Sequence, residues 1–266
     1  MPDSTLKQQV LLISWTSTVA YNTLGNVVHD TLETFYGAWL GQEITTEKLQ
    51  EAKAKTTAEI EKQFRKHYSE APLKSGKNLL IFEVAKRYVL NFLKTEIKSV
   101  EQGNSIRILE VETRLKCPFS IPELDFPINL KGTVDRVDKF NGKMRIIDYK
   151  TGRVDQGKVE LVDWEDITSD YDNFSKPFQI LTYAYLLNQE KPILEAAEAG
   201  IISFKNLQAG FLKFSKKDKM GRGAVKDPDI TQEALNAFKE QLKNLILEIC
   251  DPNIPFVEKE LKQNAW

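Results

Sequence analysis

The sequence predicts an α/β fold with a helical N-terminal region, because the spacing of its apolar residues changes along the chain. Residues 19–40, 46–68 and 78–101 carry apolar side chains at helical spacing. From residue 106 the period becomes two, which is typical of strands, and a helix from Pro177 to about residue 188 precedes two further strands. Helices, then three strands, a helix and more strands indicate a sheet with helices packed on it.

A β-hairpin lies at the centre of this prediction. Asn141-Gly142 is the strongest two-residue signal for a hairpin turn, and it separates a strand over residues 130–136 from a strand over residues 144–150. The polar and acidic segment 153–175 that follows is expected to be a long loop. A loop of this length is often a lid or the wall of a substrate channel.

The hairpin is expected to bring two carboxylates and one ammonium group together. Side chains alternate along a strand, so Asp148 and Lys150 point to the same face, and antiparallel pairing places Asp135 opposite the region of Asp148. Neighbouring carboxylates repel each other unless a positive group lies between them, and a hard divalent cation such as Mg²⁺ takes oxygen ligands. From these residues alone the alternative is an ordinary surface hairpin, since short motifs match by chance.

Four segments, taken in this order, resemble the PD-(D/E)XK nuclease superfamily and, within it, the nuclease domains of the RecB and AddB type. They are GNVVHDTLE from Gly25, GTVDRVD from Gly132, IIDYKTG from Ile146 and FQILTYAYLL from Phe178. The resemblance implies a restriction-endonuclease-like core in the order α-β-β-β-α-β, with a central mixed sheet flanked by helices. It also implies metal-dependent hydrolysis of phosphodiester bonds in DNA.

The resemblance implies a role for five residues on the hairpin and on the first helix. Asp135 and Asp148 would be acidic ligands of one or two Mg²⁺ or Mn²⁺ ions, and the backbone carbonyl of Tyr149 would be a third oxygen ligand. Lys150 would orient or activate the attacking water and stabilise charge on the phosphorus. His29 would add an imidazole to the metal site, although a lone histidine on a helix is more often structural or exposed.

Three further residues are candidates for the same site. The resemblance makes Glu112 a ligand of a second cation or of a water, but Glu110 shares its strand face by alternation, and a solvated acid is an equal alternative. Gln179 and Tyr183 are four residues apart, on one helix face. The resemblance implies that this pair contacts the DNA backbone or supports Lys150, whereas the alternative for Tyr183 is packing in the core.

One basic cluster is a candidate for DNA binding, with a solvated loop as its alternative. Because the net charge of the chain is −1, binding of DNA is expected to depend on a local groove and not on global charge. Phosphate contacts supply most of the nonspecific affinity for DNA. The cluster consists of Lys213, Lys216, Lys217, Lys219, Arg222 and Lys226.

The cysteine count and the hydropathy limit the class of protein. Only Cys117 and Cys250 are present, which excludes a disulfide framework or zinc cluster within the chain and fits a reduced, cytoplasmic compartment. Many RecB-type domains carry an iron–sulfur cluster held by four cysteines, and this chain is not expected to hold one. No segment approaches the ~20 apolar residues of a membrane helix.

We therefore expect one RecB-type nuclease domain over residues 1–266, with a helical region to residue 104, a catalytic core over residues 105–250 and a C-terminal tail. The expected activity is that of a DNA exonuclease in repair or recombination. No ATP-binding Gly-x-x-x-x-Gly-Lys-Ser/Thr pattern is present, so the domain would stand alone or would follow a helicase-like region or bind a helicase subunit. The alternative is a catalytically silent module that binds DNA or is a scaffold in a repair complex.

Overall fold

The computed structural model describes residues 19–67, 76–192 and 196–256, with side chains described from residue 23 in the first range and from residue 78 in the second. Its central element is a mixed sheet with helices packed on both faces. The predicted α/β class, with a central mixed sheet and N-terminal helices, is confirmed. No helix within these ranges is both long enough and apolar enough to cross a membrane.

Three long helices precede the sheet and pack on one of its faces. Their apolar residues recur at helical spacing, and side chains such as Leu32, Leu49 and Val89 are buried in this layer of the core. The helices are α1 (Val19–Gly37), α2 (Thr46–His67) and α3 (Gly76–Glu101).

Six strands form the central sheet. They are β1 (Ile106–Phe119), β2 (Ile128–Phe140), β3 (Lys143–Lys150), β5 (Ala197–Ser203), β6 (Phe211–Lys213) and β9 (Asp229–Ile230). Their order in space is β1-β2-β3-β5-β6, with β9 also paired to β5. The pair β3 and β5 is parallel, and the other pairs are antiparallel.

The predicted hairpin is confirmed. Strands β2 and β3 pair from Phe140 with Lys143 to Arg136 with Ile147, and the turn residue Asn141 has a positive φ of 51°. The alternation along β3 is also confirmed, because Ile146 lies in one layer of the core and Ile147 in the other. The turn and the alternation together fix the register of the pair.

Strands β2 and β3 diverge beyond this pairing, and the divergence creates the space for a site. Past Arg136 and Ile147, β2 pairs only with β1, and β3 pairs only with β5. The Asp135 carboxylate replaces the lost strand contact, since its Oδ2 accepts a hydrogen bond from the backbone N–H of Tyr149 at 2.6 Å. A buried N–H needs such a partner.

Two helices, α5 (Tyr171–Glu190) and α6 (Gln232–Cys250), cover the other face of the sheet. The predicted start of α5 at Pro177 is wrong, because the helix begins six residues earlier and Pro177 lies inside it. The Asp170 side chain caps the helix by accepting a hydrogen bond from the N–H of Asn173 at 3.2 Å.

The prediction of one long loop over residues 153–175 is also wrong. This segment contains a 3₁₀ turn (Gln156–Val159), strand β4 (Glu160–Leu161), the short helix α4 (Asp166–Ser169) and the start of α5. Its scattered apolar side chains are buried in the core and hold it in place. Strand β4 joins a small second sheet with β7 (Ser215–Lys217) and β8 (Lys226–Asp227).

Candidate active site

A group of three potential metal ligands lies where β2 and β3 diverge. His29 on α1 has its Nδ1 3.6 Å from Glu112 Oε1 and 3.5 Å from Asp135 Oδ1. One ligand atom from each residue lies within 4.8 Å of the other two. The Nε2 of His29 is also 3.2 Å from the backbone carbonyl oxygen of Tyr149. One imidazole and two carboxylates form a donor set that suits a divalent cation.

The His29 ring lies next to these two carboxylates, 3.6 Å from Glu112 and 3.5 Å from Asp135. Burial alone would lower the pKa of His29, but the close carboxylates of Asp135 and Glu112 raise that pKa to about 10. Because a protonated imidazole has no free lone pair, a cation can bind this ring only after the proton leaves.

Glu112, which contacts His29, lies in a distorted part of β1. The pairing of β1 with β2 shifts by one residue between Ile108 and Glu110, and Glu112 has a positive φ of 47°. A glutamate rarely adopts this left-handed conformation, and such distortions are concentrated at functional sites. Of the two glutamates that alternation left as candidates, Glu112 faces His29, whereas Glu110 forms an ion pair with Lys191.

Asp148 and Lys150 form an ion pair beside this group. The Nζ of Lys150 lies 2.8 Å from Asp148 Oδ2 and 3.0 Å from Asp148 Oδ1. Burial and the negative charge of Asp135 raise the pKa of Asp148 to about 6, although the Lys150 ammonium partly opposes them. A cation shared by Asp135 and Asp148 stays a prediction, because Asp148 is not one of the three grouped ligands.

These residues fit a divalent cation. His29, Glu112 and Asp135 offer one nitrogen and two oxygen ligands within reach of one another. The buried Oδ2 of Asp148 is close to Lys150 but not aligned for a hydrogen bond, so it keeps a free acceptor. A carboxylate oxygen without a donor is costly to bury, and a hard cation would satisfy it.

A comparison with protein families decides the classification. The profile of the PD-(D/E)XK nuclease superfamily matches residues 7–261, nearly the whole chain. The chain belongs to the PD-(D/E)XK nuclease superfamily. Nucleases of this superfamily hydrolyse phosphodiester bonds with divalent metal ions, and the sheet and helices described above agree with their restriction-endonuclease-like fold. No curated protein shows a significant match to the chain.

In this PD-(D/E)XK nuclease, helix α5 provides a second contact to Lys150, in addition to Asp148. Gln179 Oε1 accepts a hydrogen bond from Lys150 Nζ at 2.9 Å, and Gln179 Nε2 donates to the Tyr183 hydroxyl at 2.5 Å. Strand β2 approaches α5 closely at Gly132, where a Cβ would lie 3.0 Å from Leu186 Cδ1. The geometry thus agrees with the predicted support of Lys150.

Lys176 is a cation near the candidate active site that the sequence reasoning missed. It is half-buried on α5, three residues before Gln179, and within the described chain it has no ion pair or hydrogen bond. Burial, with the positive charges of Lys158 and Lys150, lowers the pKa of Lys176. The sequence does place Lys176 three residues before Gln179, which is the spacing of one helix face. Because the helix was expected to begin at Pro177, Lys176 was expected to lie outside it.

The predicted basic cluster is partly neutralised by acids. Lys213 pairs with Glu198 at 2.7 Å, and Lys217 pairs with Glu160 at 3.3 Å. The ammonium of Lys216 donates to the backbone carbonyl of Val162. DNA binding by this cluster stays a prediction. Its remaining members are Lys219 and Arg222, which are exposed, and Lys226, which also pairs with Glu160.

A network of buried charges lies beside the candidate active site and was also missed from the sequence. Arg136 is fully buried, and its Nη1 donates to Glu96 Oε1 at 2.8 Å and to the Tyr149 hydroxyl at 3.3 Å. Asp138 lies 2.5 Å from Arg136 and accepts two hydrogen bonds of 2.8 Å from Arg145. The network fixes the ring of Tyr149, whose backbone faces His29.

Proposed function

We propose that this protein is a divalent-metal-dependent deoxyribonuclease of the RecB and AddB type. The observation that carries the proposal is the grouping of His29, Glu112 and Asp135 beside the Lys150–Asp148 ion pair. A nitrogen ligand, two carboxylates and a neighbouring ammonium are the groups that metal-assisted phosphodiester hydrolysis requires.

We propose that His29, Asp135 and Asp148 hold Mg²⁺ or Mn²⁺, with Glu112 as a ligand of the same or a second ion. The backbone carbonyl of Tyr149 would add another oxygen, since it lies 3.2 Å from the His29 ring. When bound, the cation supplies positive charge to the scissile phosphate and lowers the pKa of a water molecule.

Lys150 is the proposed catalytic residue. Its ammonium is held between Asp148 and Gln179, so it can orient the attacking water and stabilise negative charge that develops on the phosphate. The oxygen of the water forms a bond to phosphorus, and the bond from phosphorus to the 3′ oxygen breaks. The 3′ oxygen takes up a proton, which leaves a 3′-hydroxyl and a 5′-phosphate.

The biological setting is part of the proposal. We infer one nuclease domain across residues 1–266 that acts as an exonuclease in DNA repair or recombination, alone or with a helicase region or subunit. The segments GNVVHDTLE, GTVDRVD, IIDYKTG and FQILTYAYLL, which resemble the RecB and AddB nucleases, support this context.

The decisive experiment compares the wild-type protein with Lys150→Ala and with Lys139→Ala, a matched change at an exposed lysine of β2. End-labelled linear and closed circular DNA, single- and double-stranded, are incubated with Mg²⁺, Mn²⁺ or EDTA. We expect metal-dependent cleavage by the wild type and Lys139→Ala, and a loss on the order of 10²-fold to 10³-fold for Lys150→Ala.

Equal residual activity in the wild type and Lys150→Ala would refute the proposed enzyme. Retained DNA binding without cleavage in any variant would support the catalytically silent module instead. Resistance of circular DNA, with linear DNA degraded from its ends, is the result expected of an exonuclease.

A further inference from the structure

We propose that a basic groove beside the candidate active site binds the backbone of the DNA strand on one side of the scissile phosphate. We call it the α3 groove, and its polar and charged lining includes Asn91, Lys94, Lys98, Arg153, Lys205 and Asn206. The inference rests on the proposed function, and it names the path that the substrate follows away from the site. None of these residues belongs to the basic cluster predicted from the sequence.

The α3 groove has the size and charge of a polyanion site. Its volume is about 900 Å³, and among the described residues that line it none is acidic. Lys94 and Lys98 come from α3, Arg153 from the segment after β3, and Lys205 from the 3₁₀ segment after β5. Three separate elements thus bring four cations to one groove of a chain whose net charge is only −1.

The groove's lysines are free to bind phosphate. Lys94, Lys98 and Lys205 are exposed, and none of them has an ion-pair partner among the residues that the structure describes. Arg153 pairs with Asp155 at 3.0 Å, but both side chains are largely exposed, and such surface pairs are weak. A phosphate could therefore bind these groups without breaking a buried ion pair.

The spacing of the groove's cations suits successive phosphates. Arg153 follows Lys150 by three residues, which span at most about 10 Å. Lys94 and Lys98 are one helical turn apart, a rise of about 6 Å along α3. Successive phosphates of one duplex strand advance ~3.4 Å along the axis, so the groove begins within a few nucleotides of the proposed scissile bond.

Hydrogen bonds join the segment that follows β3, which contains Arg153, to β5 and to the 3₁₀ segment after it. The Ser203 hydroxyl donates to the carbonyl of Gly152 at 2.8 Å and accepts from the N–H of Val154 at 3.1 Å. Asn206 Nδ2 donates to the carbonyl of Val154 at 2.9 Å. Arg153 lies between these two tied residues, so its backbone has a fixed position relative to both the site and the groove.

The test measures binding of fluorescently labelled DNA by anisotropy, so its result does not depend on turnover. The double variant K94E/K98E is compared with K139E/K239E, which makes the same charge change at exposed lysines of β2 and α6. Single- and double-stranded oligonucleotides are titrated in EDTA and in Ca²⁺ at several salt concentrations. Lys205→Glu is measured separately, because it comes from another element, and thermal unfolding checks that each variant is folded.

We expect K94E/K98E to bind at least about tenfold more weakly than the wild type, while K139E/K239E binds as the wild type does. If each lysine contacts one phosphate, the plot of log binding constant against log salt concentration should become less steep. The magnitude of its slope should decrease by ~1.8 for duplex or ~1.4 for single strands. Equal binding by the two double variants would overturn the inference. Lost binding by K94E/K98E in a protein that never cleaves DNA would support the groove and refute the proposed nuclease activity.

Discussion

The side-chain oxygen of Gln179 lies 2.9 Å from the ammonium of Lys150, so helix α5 holds the lysine that β3 presents. Asp148 also contacts this ammonium, at 2.8 Å. The Tyr183 hydroxyl in turn fixes the amide of Gln179 at 2.5 Å. The proposed catalytic group is therefore positioned before substrate binds, which lowers the cost of reorganisation during the reaction.

Replacing Gln179 with leucine should slow cleavage without weakening the binding of DNA. The change removes one of the two groups that hold Lys150, and removal of a supporting hydrogen bond typically costs 10- to 100-fold; we expect a fall in kcat of about that size. The measurement is the dependence of the cleavage rate on DNA concentration. Gln189→Leu, an exposed position of the same helix, is the control and should keep the wild-type kcat. A change in KM alone would refute positioning of Lys150 by Gln179.

Replacing His29 with alanine should raise the Mn²⁺ concentration that cleavage requires. The variant loses the imidazole ligand and leaves Glu112 and Asp135 to bind the cation with fewer donors. We expect an increase of about tenfold or more in the half-saturating Mn²⁺ concentration. His67→Ala is the matched control, because the chain's other histidine pairs with Asp30 on the surface of the helical layer. An unchanged Mn²⁺ titration would remove His29 from the site.

Replacing Lys176 with glutamine should weaken the binding of substrate. Lys176 is half-buried near Lys150 and lacks an acidic partner in the described parts of the chain, so a DNA phosphate is the group most suited to it. We expect KM to rise about five- to tenfold and the salt slope of duplex binding to fall by ~0.9. Lys239→Gln on α6 is the control. Unchanged KM and unchanged salt slope would show that Lys176 makes no phosphate contact.

The hairpin could be predicted from the sequence because its signals are local. The turn at Asn141-Gly142 and the alternation along β3 lie within one short segment, and together they set the register of β2 with β3. His29 could be associated with Asp135 only through the order of the four family segments, since more than a hundred residues separate them.

Other features depend on tertiary structure that the sequence pattern did not show. Alternation could not separate Glu112 from Glu110, because the positive φ of Glu112 breaks the period of two between these residues. Pro177 and Asp170 are both signals for a helix start in the sequence, and the helix begins after the cap at Asp170. The α3 groove combines residues from three elements, and no local pattern marks such a combination.

Replacing the buried Arg136 with methionine should destabilise the fold severely. The change leaves Glu96 and Asp138 buried without this positive partner, and breaking a buried ion pair from one side costs about 3–5 kcal/mol. Urea unfolding followed by circular dichroism measures the loss. Arg65→Met is the control, because its pair with Glu61 is exposed and should contribute less than about 1 kcal/mol. A similar decrease in the free energy of unfolding for Arg136→Met and Arg65→Met would contradict the expectation that the buried ion pairs matter more than an exposed one.

The stability that Asp138 provides should disappear in acid. Burial alone would raise the pKa of Asp138, but the guanidinium groups of Arg136 and Arg145 outweigh it and hold that pKa below its ordinary value. A carboxyl group with a lower pKa in the folded than in the unfolded chain stabilises the fold at pH values above its unfolded pKa, ~3.9. This stabilisation is lost as the pH falls through the folded pKa. The difference in unfolding free energy between the wild type and Asp138→Asn should therefore be constant above about pH 5 and shrink below about pH 4.

Urea unfolding of both proteins from pH 3 to pH 7 measures this difference, with Asp125→Asn, a change at an exposed aspartate, as the control. Asp125→Asn should follow the wild-type curve, because an exposed carboxylate has nearly the same environment in the folded and unfolded chains. A gap between wild type and Asp138→Asn that widens in acid would mean that Asp138 is protonated more readily in the folded protein. That result would contradict the charge-paired carboxylate on which the network beneath Tyr149 depends.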